Sequence, residues 1–107
     1  MATTIEFLNY FLEQLKDIPD ISCRRMMGEY LIYYKGKLIG DICDNRVFIK
    51  PVSSALDLLP DAEMCPPYQG AKDMIVLEDL ENAEFFAELF DAMYAELPEP
   101  KTKKRKA

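Results

Sequence analysis

Three turn signals divide residues 21–50 into four short runs, of which residues 30–34 are rich in aromatic and β-branched side chains. The turns are Gly28-Glu29, Lys35-Gly36-Lys37 and Asp44-Asn45. Glycine, asparagine and aspartate tolerate the positive φ angles of tight hairpins, and strands joined by such short turns pair as antiparallel neighbours. The sequence therefore predicts an antiparallel meander with strands over residues 21–27, 30–34, 38–43 and 46–50.

Two amphipathic segments predict helices before and after this meander. The first begins at a capping box formed by Thr3 and Glu6 and ends before Pro19, and the second opens at Asp79 or Asn82 and ends at Pro98. In both segments apolar side chains recur three and four residues apart, which is the spacing of one helix face. These side chains are Ile5, Leu8, Phe11, Leu12 and Leu15 in the first segment, and Phe85, Phe86, Leu89, Phe90, Met93, Tyr94 and Leu97 in the second.

The region between the meander and the last helix is expected to add a short helix, a loop and one strand. Ser53 or Ser54 can cap a helix that runs to Leu59, a loop covers residues 61–73, and residues 74–77 form the strand. The resulting order is α-β-β-β-β-α-β-α. This order predicts an α+β domain over residues 1–97, with an antiparallel sheet of about five strands and helices packed mainly on one face.

The residue types that are absent or scarce argue against most catalytic designs. The chain has no histidine, which removes Ser-His-Asp and Cys-His pairs and most zinc sites. Cys23, Cys43 and Cys65 are widely spaced, which suits structural thiols in a reducing cytoplasm. Asp41 and Asp44 keep open an enzyme with carboxylate or arginine chemistry, although turns favour acids anyway. We expect a non-enzymatic protein without metal or cofactor.

Charge is divided between an acidic body and a basic end. Residues 1–100 hold all 19 acidic residues and 8 of the 13 lysines and arginines, a formal charge of −11, whereas residues 101–107 carry +5. Such a body should repel phosphates. Residues 98–107 are predicted to be a basic tail, disordered when free, and to provide any nucleic-acid contacts. The cations of the tail are Lys101, Lys103, Lys104, Arg105 and Lys106.

No apolar run reaches the length that crosses a bilayer, and the first residues lack the basic and apolar regions of a signal peptide. We therefore expect no membrane association, no export and a cytoplasmic location.

Residues 24–33 read Arg-Arg-Met-Met-Gly-Glu-Tyr-Leu-Ile-Tyr. This segment resembles the TfoX N-terminal domain family (TfoX/Sxy), whose members carry an Arg-Arg-Met-Phe-Gly-Gly-Tyr-Gly-Leu-Tyr type of segment after a first helix. Residues 44–46 and 48–50 match a later turn and strand end of that family, and the resemblance covers nearly residues 3–97. It implies a bacterial cytoplasmic regulator of competence genes that acts through protein contacts with an activator of the cyclic-AMP receptor protein type.

The candidate contacts to a protein partner are Arg24, Arg25, Tyr30 and Tyr68. Arginine and tyrosine are enriched in interface hot spots. For the arginines, we favour an internal ion pair plus one solvated side chain over a partner contact, and Glu29 is a candidate carboxylate for that pair.

The leading interpretation is a regulatory protein-binding module that uses a sheet face and the loop at residues 66–70. Its partner is expected to be a protein, with the transcription machinery as the candidate. A DNA-binding accessory protein that uses the basic tail is the first alternative, and an enzyme is the second. Monomer and homodimer both remain open.

Overall fold

The computed structural model describes residues 3–98 and shows a six-stranded antiparallel sheet with three helices. The strand order is β1-β2-β3-β4-β6-β5, so β1 and β5 lie at opposite edges. This architecture confirms the predicted α+β class. In chain order the elements are α1 (Ile5–Gln14), β1 (Ile21–Met26), β2 (Glu29–Tyr34), β3 (Lys37–Cys43), β4 (Arg46–Ile49), α2 (Ser53–Leu58), β5 (Met64–Cys65), β6 (Met74–Leu77) and α3 (Ala83–Tyr94).

The four-stranded meander forms where it was predicted, and each of its turns has two residues with positive φ. The pairs are Met27-Gly28, Lys35-Gly36 and Asp44-Asn45, with φ angles between 51° and 88°. Two consecutive positive φ angles are the pattern of the hairpin turn whose twist matches that of the flanking strands. The first turn thus falls one residue earlier than the Gly28-Glu29 break that the sequence suggested.

The estimate of about five strands was one too low. The additional strand, β5, lies inside the segment predicted as loop and pairs antiparallel with β6 through Met64–Ile75 and Cys65–Met74. A two-residue strand carries no alternation pattern, so its existence depends on the neighbouring strand and not on its own sequence.

The N-cap of α1 is Thr4, and not Thr3 as the capping box suggested. The Thr4 hydroxyl accepts a hydrogen bond from the Phe7 backbone N–H at 3.1 Å. Thr3 instead accepts one from the Asn45 backbone N–H, and the Thr4 N–H donates to the Asn45 side chain at 2.9 Å. These contacts fasten the start of α1 to the turn between β3 and β4. At α3 the cap is Asn82, one of the two residues that the sequence left open.

The core lies between the three helices and one face of the sheet. In β2 the side chains of Tyr30, Ile32 and Tyr34 are buried on this face, alternating with half-buried neighbours on the other. Such alternation is expected of a strand with one face against a core. Helices α1 and α3 contribute aromatic side chains to this core. The rings of Phe11 and Phe86 contact each other edge-on, with their centroids 5.8 Å apart.

Leu97, the last residue of the predicted domain, is buried in the same core. The predicted tail lies outside the described residues, except for its first residue, Pro98. Within residues 3–98, no helix has the length and apolar character needed to span a membrane.

Candidate partner-binding surface

The exposed end of β1 and the turn after it form a surface of two arginines and two methionines. We call Arg24, Arg25, Met26 and Met27 the β1 edge surface; all four are exposed. Because β1 has a strand neighbour on one side only, part of its backbone N–H and C=O groups point outward. The surface therefore offers cationic groups, apolar side chains and strand-pairing groups together.

Met27 is the least expected residue of this surface. Its side chain is 94% exposed, and its φ angle is 51°, a conformation that favours glycine or asparagine. A bulky residue in this conformation costs of order 1 kcal/mol or more. An exposed methionine side chain gives the fold no packing in return, whereas flexible methionine is well suited to binding surfaces.

The two arginines lie on opposite faces of β1, as strand alternation requires. Arg24 is opposite Leu31 and Arg25 is opposite Tyr30 on β2. The internal ion pair that we favoured for one of them is wrong, because both side chains are exposed and neither pairs with a carboxylate within residues 3–98. The reason is the position of β1 at the sheet edge, where neither face of its last residues is covered.

The two tyrosines do not join this surface. Tyr30 is a correction to the predicted contacts, because it is 9% exposed and belongs to the core cluster. It is the cross-strand neighbour of Arg25. Tyr68 is exposed in the loop between β5 and β6, at the edge of the sheet opposite β1. Met26 and Met27 were not among the predicted contacts, although two methionines directly before a turn glycine are a visible signal.

The face of the sheet away from the helices carries a buried carboxylate, that of Asp41. Its cross-strand neighbours are Leu31 on β2 and Phe48 on β4, and its exposure is 9%. Burial in this apolar position, followed by the negative charge of Glu29, raises the pKa of Asp41 to about 6, and Lys50 opposes the shift. Asp44, its proposed companion, lies in the exposed turn after β3. Residues 3–98 contain no group of three carboxylate or thiol ligands that could hold a metal.

Asp41→Asn is expected to stabilise the protein at neutral pH. Since the pKa in the folded state lies above the ordinary 3.8, the folded protein keeps this proton at pH values where the unfolded chain has lost it. The contribution of Asp41 to stability is therefore full below about pH 4 and is lost as the pH rises through about 6. We expect the variant to raise the free energy of unfolding by about 1–2 kcal/mol near pH 7.5, and by much less near pH 4.

Urea denaturation of both proteins between about pH 4 and pH 8 measures this difference. Asp73→Asn, which changes an exposed carboxylate, is the matched control and should show no such trend. A constant difference between Asp41→Asn and the wild type over this range would contradict the prediction.

Comparison with known proteins finds a similar protein in Spirochaeta aurantia. The chain is 36% identical over 107 residues to a protein of Spirochaeta aurantia described as an uncharacterized 12.7 kDa protein in the trpE 5' region. The match covers 99% of this chain and 93% of that protein. No protein-family model and no solved structure matches the chain, so the resemblance to TfoX stays a prediction. The extent of the match shows that the chain belongs to the same family as the Spirochaeta aurantia protein.

Proposed function

We propose that this protein is a non-catalytic regulatory module that binds a protein partner through the β1 edge surface. The observation that carries the proposal is the 94% exposed Met27 in a strained turn beside two exposed arginines. Guanidinium and thioether groups supply recognition, and neither exchanges a proton near neutral pH as a catalytic acid or base does. The surface is therefore suited to binding and not to catalysis.

The geometry favours a partner segment that is extended and acidic. An extended segment can pair with the free edge of β1, in which case main-chain hydrogen bonds supply affinity and alternate side chains supply specificity. Arg24 and Arg25 point to opposite faces, so each could hold a carboxylate on one side of the added strand. Met26 and Met27 would cover an apolar side chain at its end.

The resemblance to the TfoX N-terminal domain suggests where this partner should be sought. It supports a bacterial cytoplasmic setting and a role in transcriptional control, with activators of the cyclic-AMP receptor protein type as the first candidates. The three free thiols suit the same reducing compartment.

The partner can be identified by placing a photo-crosslinking amino acid at position 27 and analysing the product from a bacterial lysate. The dissociation constant is then measured for the purified pair. We expect Arg24→Glu/Met27→Ser to weaken binding at least about 30-fold, since losing hot-spot contacts typically costs about 2 kcal/mol or more. Circular dichroism should show that both changes leave the fold intact, because neither side chain is buried.

The matched control is Lys72→Glu/Met64→Ser, which makes the same types of change at exposed positions near the opposite sheet edge. It should bind within about twofold of the wild type, as expected of substitutions outside an interface. Equal losses in the two double variants, or no loss in either, would rule out the β1 edge surface as the binding site.

A further inference from the structure

A groove with an apolar floor and an acidic rim lies where the segment after α2, the end of β6 and the start of α3 meet. Its volume is about 510 Å³. The floor includes half-buried leucine and phenylalanine side chains, and the rim carries four exposed carboxylates from two segments. The floor includes Leu59 and Phe85, and the rim residues are Asp61, Glu63, Glu78 and Asp79.

The charges of this rim are poorly balanced. Arg46, which is outside the groove lining, lies 3.7 Å from the Glu63 carboxylate. One Asp79 oxygen accepts a hydrogen bond from the Glu81 backbone N–H, and among residues 3–98 no lysine or arginine lines the groove. An occupant with a long aliphatic stem and a cationic head would place the stem on the floor and the head among the carboxylates. Lysine and arginine side chains have this form.

The chain itself supplies such side chains within reach of the groove. α2 extends from the C-terminal end of α3 towards the groove. At its start, the Ser54 hydroxyl donates to the Ala92 carbonyl and to the Glu96 carboxylate, and near its end Leu58 lines the groove. The start of α3 also lines the groove. α3 has 12 residues and is therefore about 18 Å long. An extended chain spans at most about 3.5 Å per residue, so position 103 can lie up to about 17 Å from Pro98 and position 106 up to about 28 Å.

We propose that the acidic groove binds the chain's own basic segment, residues 101–106, as an intramolecular contact. Each exposed ion pair contributes only about 0–1 kcal/mol, so a separate peptide would bind weakly. A tethered segment meets its site at an effective concentration in the millimolar range, which compensates for this weakness. The bound segment is withheld from phosphates and from other acidic surfaces, so the groove controls when the basic residues are available.

The contact is tested in the full-length chain by comparing amide NMR spectra of the wild type with those of a variant in which the five basic residues of the tail are glutamine. We expect shift differences centred on Leu59, Asp61, Glu78, Asp79 and Phe85, largest near 0.02 M salt and mostly lost near about 0.3 M, because salt screens exposed charges. Shift differences confined to residues outside the groove, or no shift differences at low salt, would overturn the proposal.

Two groove variants complete the test. Glu78→Gln/Asp79→Asn should abolish the tail-dependent shifts, whereas Asp17→Asn/Asp20→Asn, with the same change in net charge near the end of α1, should retain them. Retention of the shifts in both variants would overturn the proposal. Shift differences that grow with protein concentration would also overturn it, because they would indicate that the tail binds a second copy.

Discussion

Phe86→Ala is expected to lower the free energy of unfolding by about 3–5 kcal/mol, the usual cost of removing a fully buried aromatic side chain. Phe86 is 0% exposed, and its ring lies between Phe11 of α1 and Phe90 of its own helix, at centroid distances of 5.8 Å and 6.3 Å. The substitution removes both ring contacts and leaves a cavity between the two long helices. Because a domain of this size is typically stable by about 5–15 kcal/mol, the loss would be a large part of the total.

Chemical denaturation with urea provides the measurement, and Phe85→Ala is its control. Phe85 is adjacent and of the same residue type but only half buried, with its ring centroid 6.4 Å from that of Phe86. Its replacement is expected to cost about 1–2 kcal/mol, because less apolar surface returns to water. A Phe86→Ala variant as stable as Phe85→Ala, or more stable, would contradict the prediction.

Gly40→Ala is the second change with a large expected effect, about 3 kcal/mol of lost stability. Gly40 lies in β3 between Ile32 of β2 and Ile49 of β4, in the interior of the sheet. A Cβ atom at this position would collide with the backbone carbonyl oxygen of Phe48. A backbone atom held in a sheet cannot move aside as a flexible side chain can, so the strands must separate locally.

Gly70→Ala distinguishes this collision from a general cost of replacing glycine. Gly70 has a φ angle of +92° and no neighbouring atom within 4 Å of an added Cβ, so its replacement costs backbone strain alone, about 1 kcal/mol. Thermal unfolding of both variants gives the comparison. If Gly70→Ala were the more destabilising of the two, the collision at Gly40 would not be the larger cause of lost stability.

The helices and the meander were predictable because their signals are local. Helical spacing of apolar residues and hairpin turns that require positive φ are properties of a few neighbouring residues. The arginines of the β1 edge surface were candidates because of their residue type. Residue type alone is local information. It could not show that both are exposed, because that depends on β1 being the edge strand, and strand order arises from pairing between distant parts of the chain.

The acidic groove was also beyond sequence reasoning. Asp61 and Glu63 were assigned to a loop, and Glu78 and Asp79 to the start of the last helix, where acids are common for local reasons. Only the packing of α2, β6 and α3 brings the two pairs to one rim. The imbalance of charge along the sequence was visible, but the place where the negative charge collects was not.

Lys37 shows the same division between local and distant causes. Its position after a turn glycine indicates an exposed residue, and lysine is seldom buried, yet its side chain is 7% exposed. The Nζ atom donates to the Tyr94 carbonyl at 3.1 Å and lies 4.2 Å from the centre of the Tyr94 ring. α3 has no basic residue in its own last turn, so β3 supplies the positive charge that the C-terminal end of a helix favours.

Residue order along the chain thus decides the α+β class, the meander with its three turns, and the separation of acidic and basic charge. Tertiary structure alone decides the pairing of β5, the burial of Tyr30, Lys37 and Asp41, and the exposure of the β1 edge surface. The physical reason is distance in the sequence. Propensity and turn geometry act over a few residues, whereas burial and strand order are set by contacts between segments that fold together from far apart.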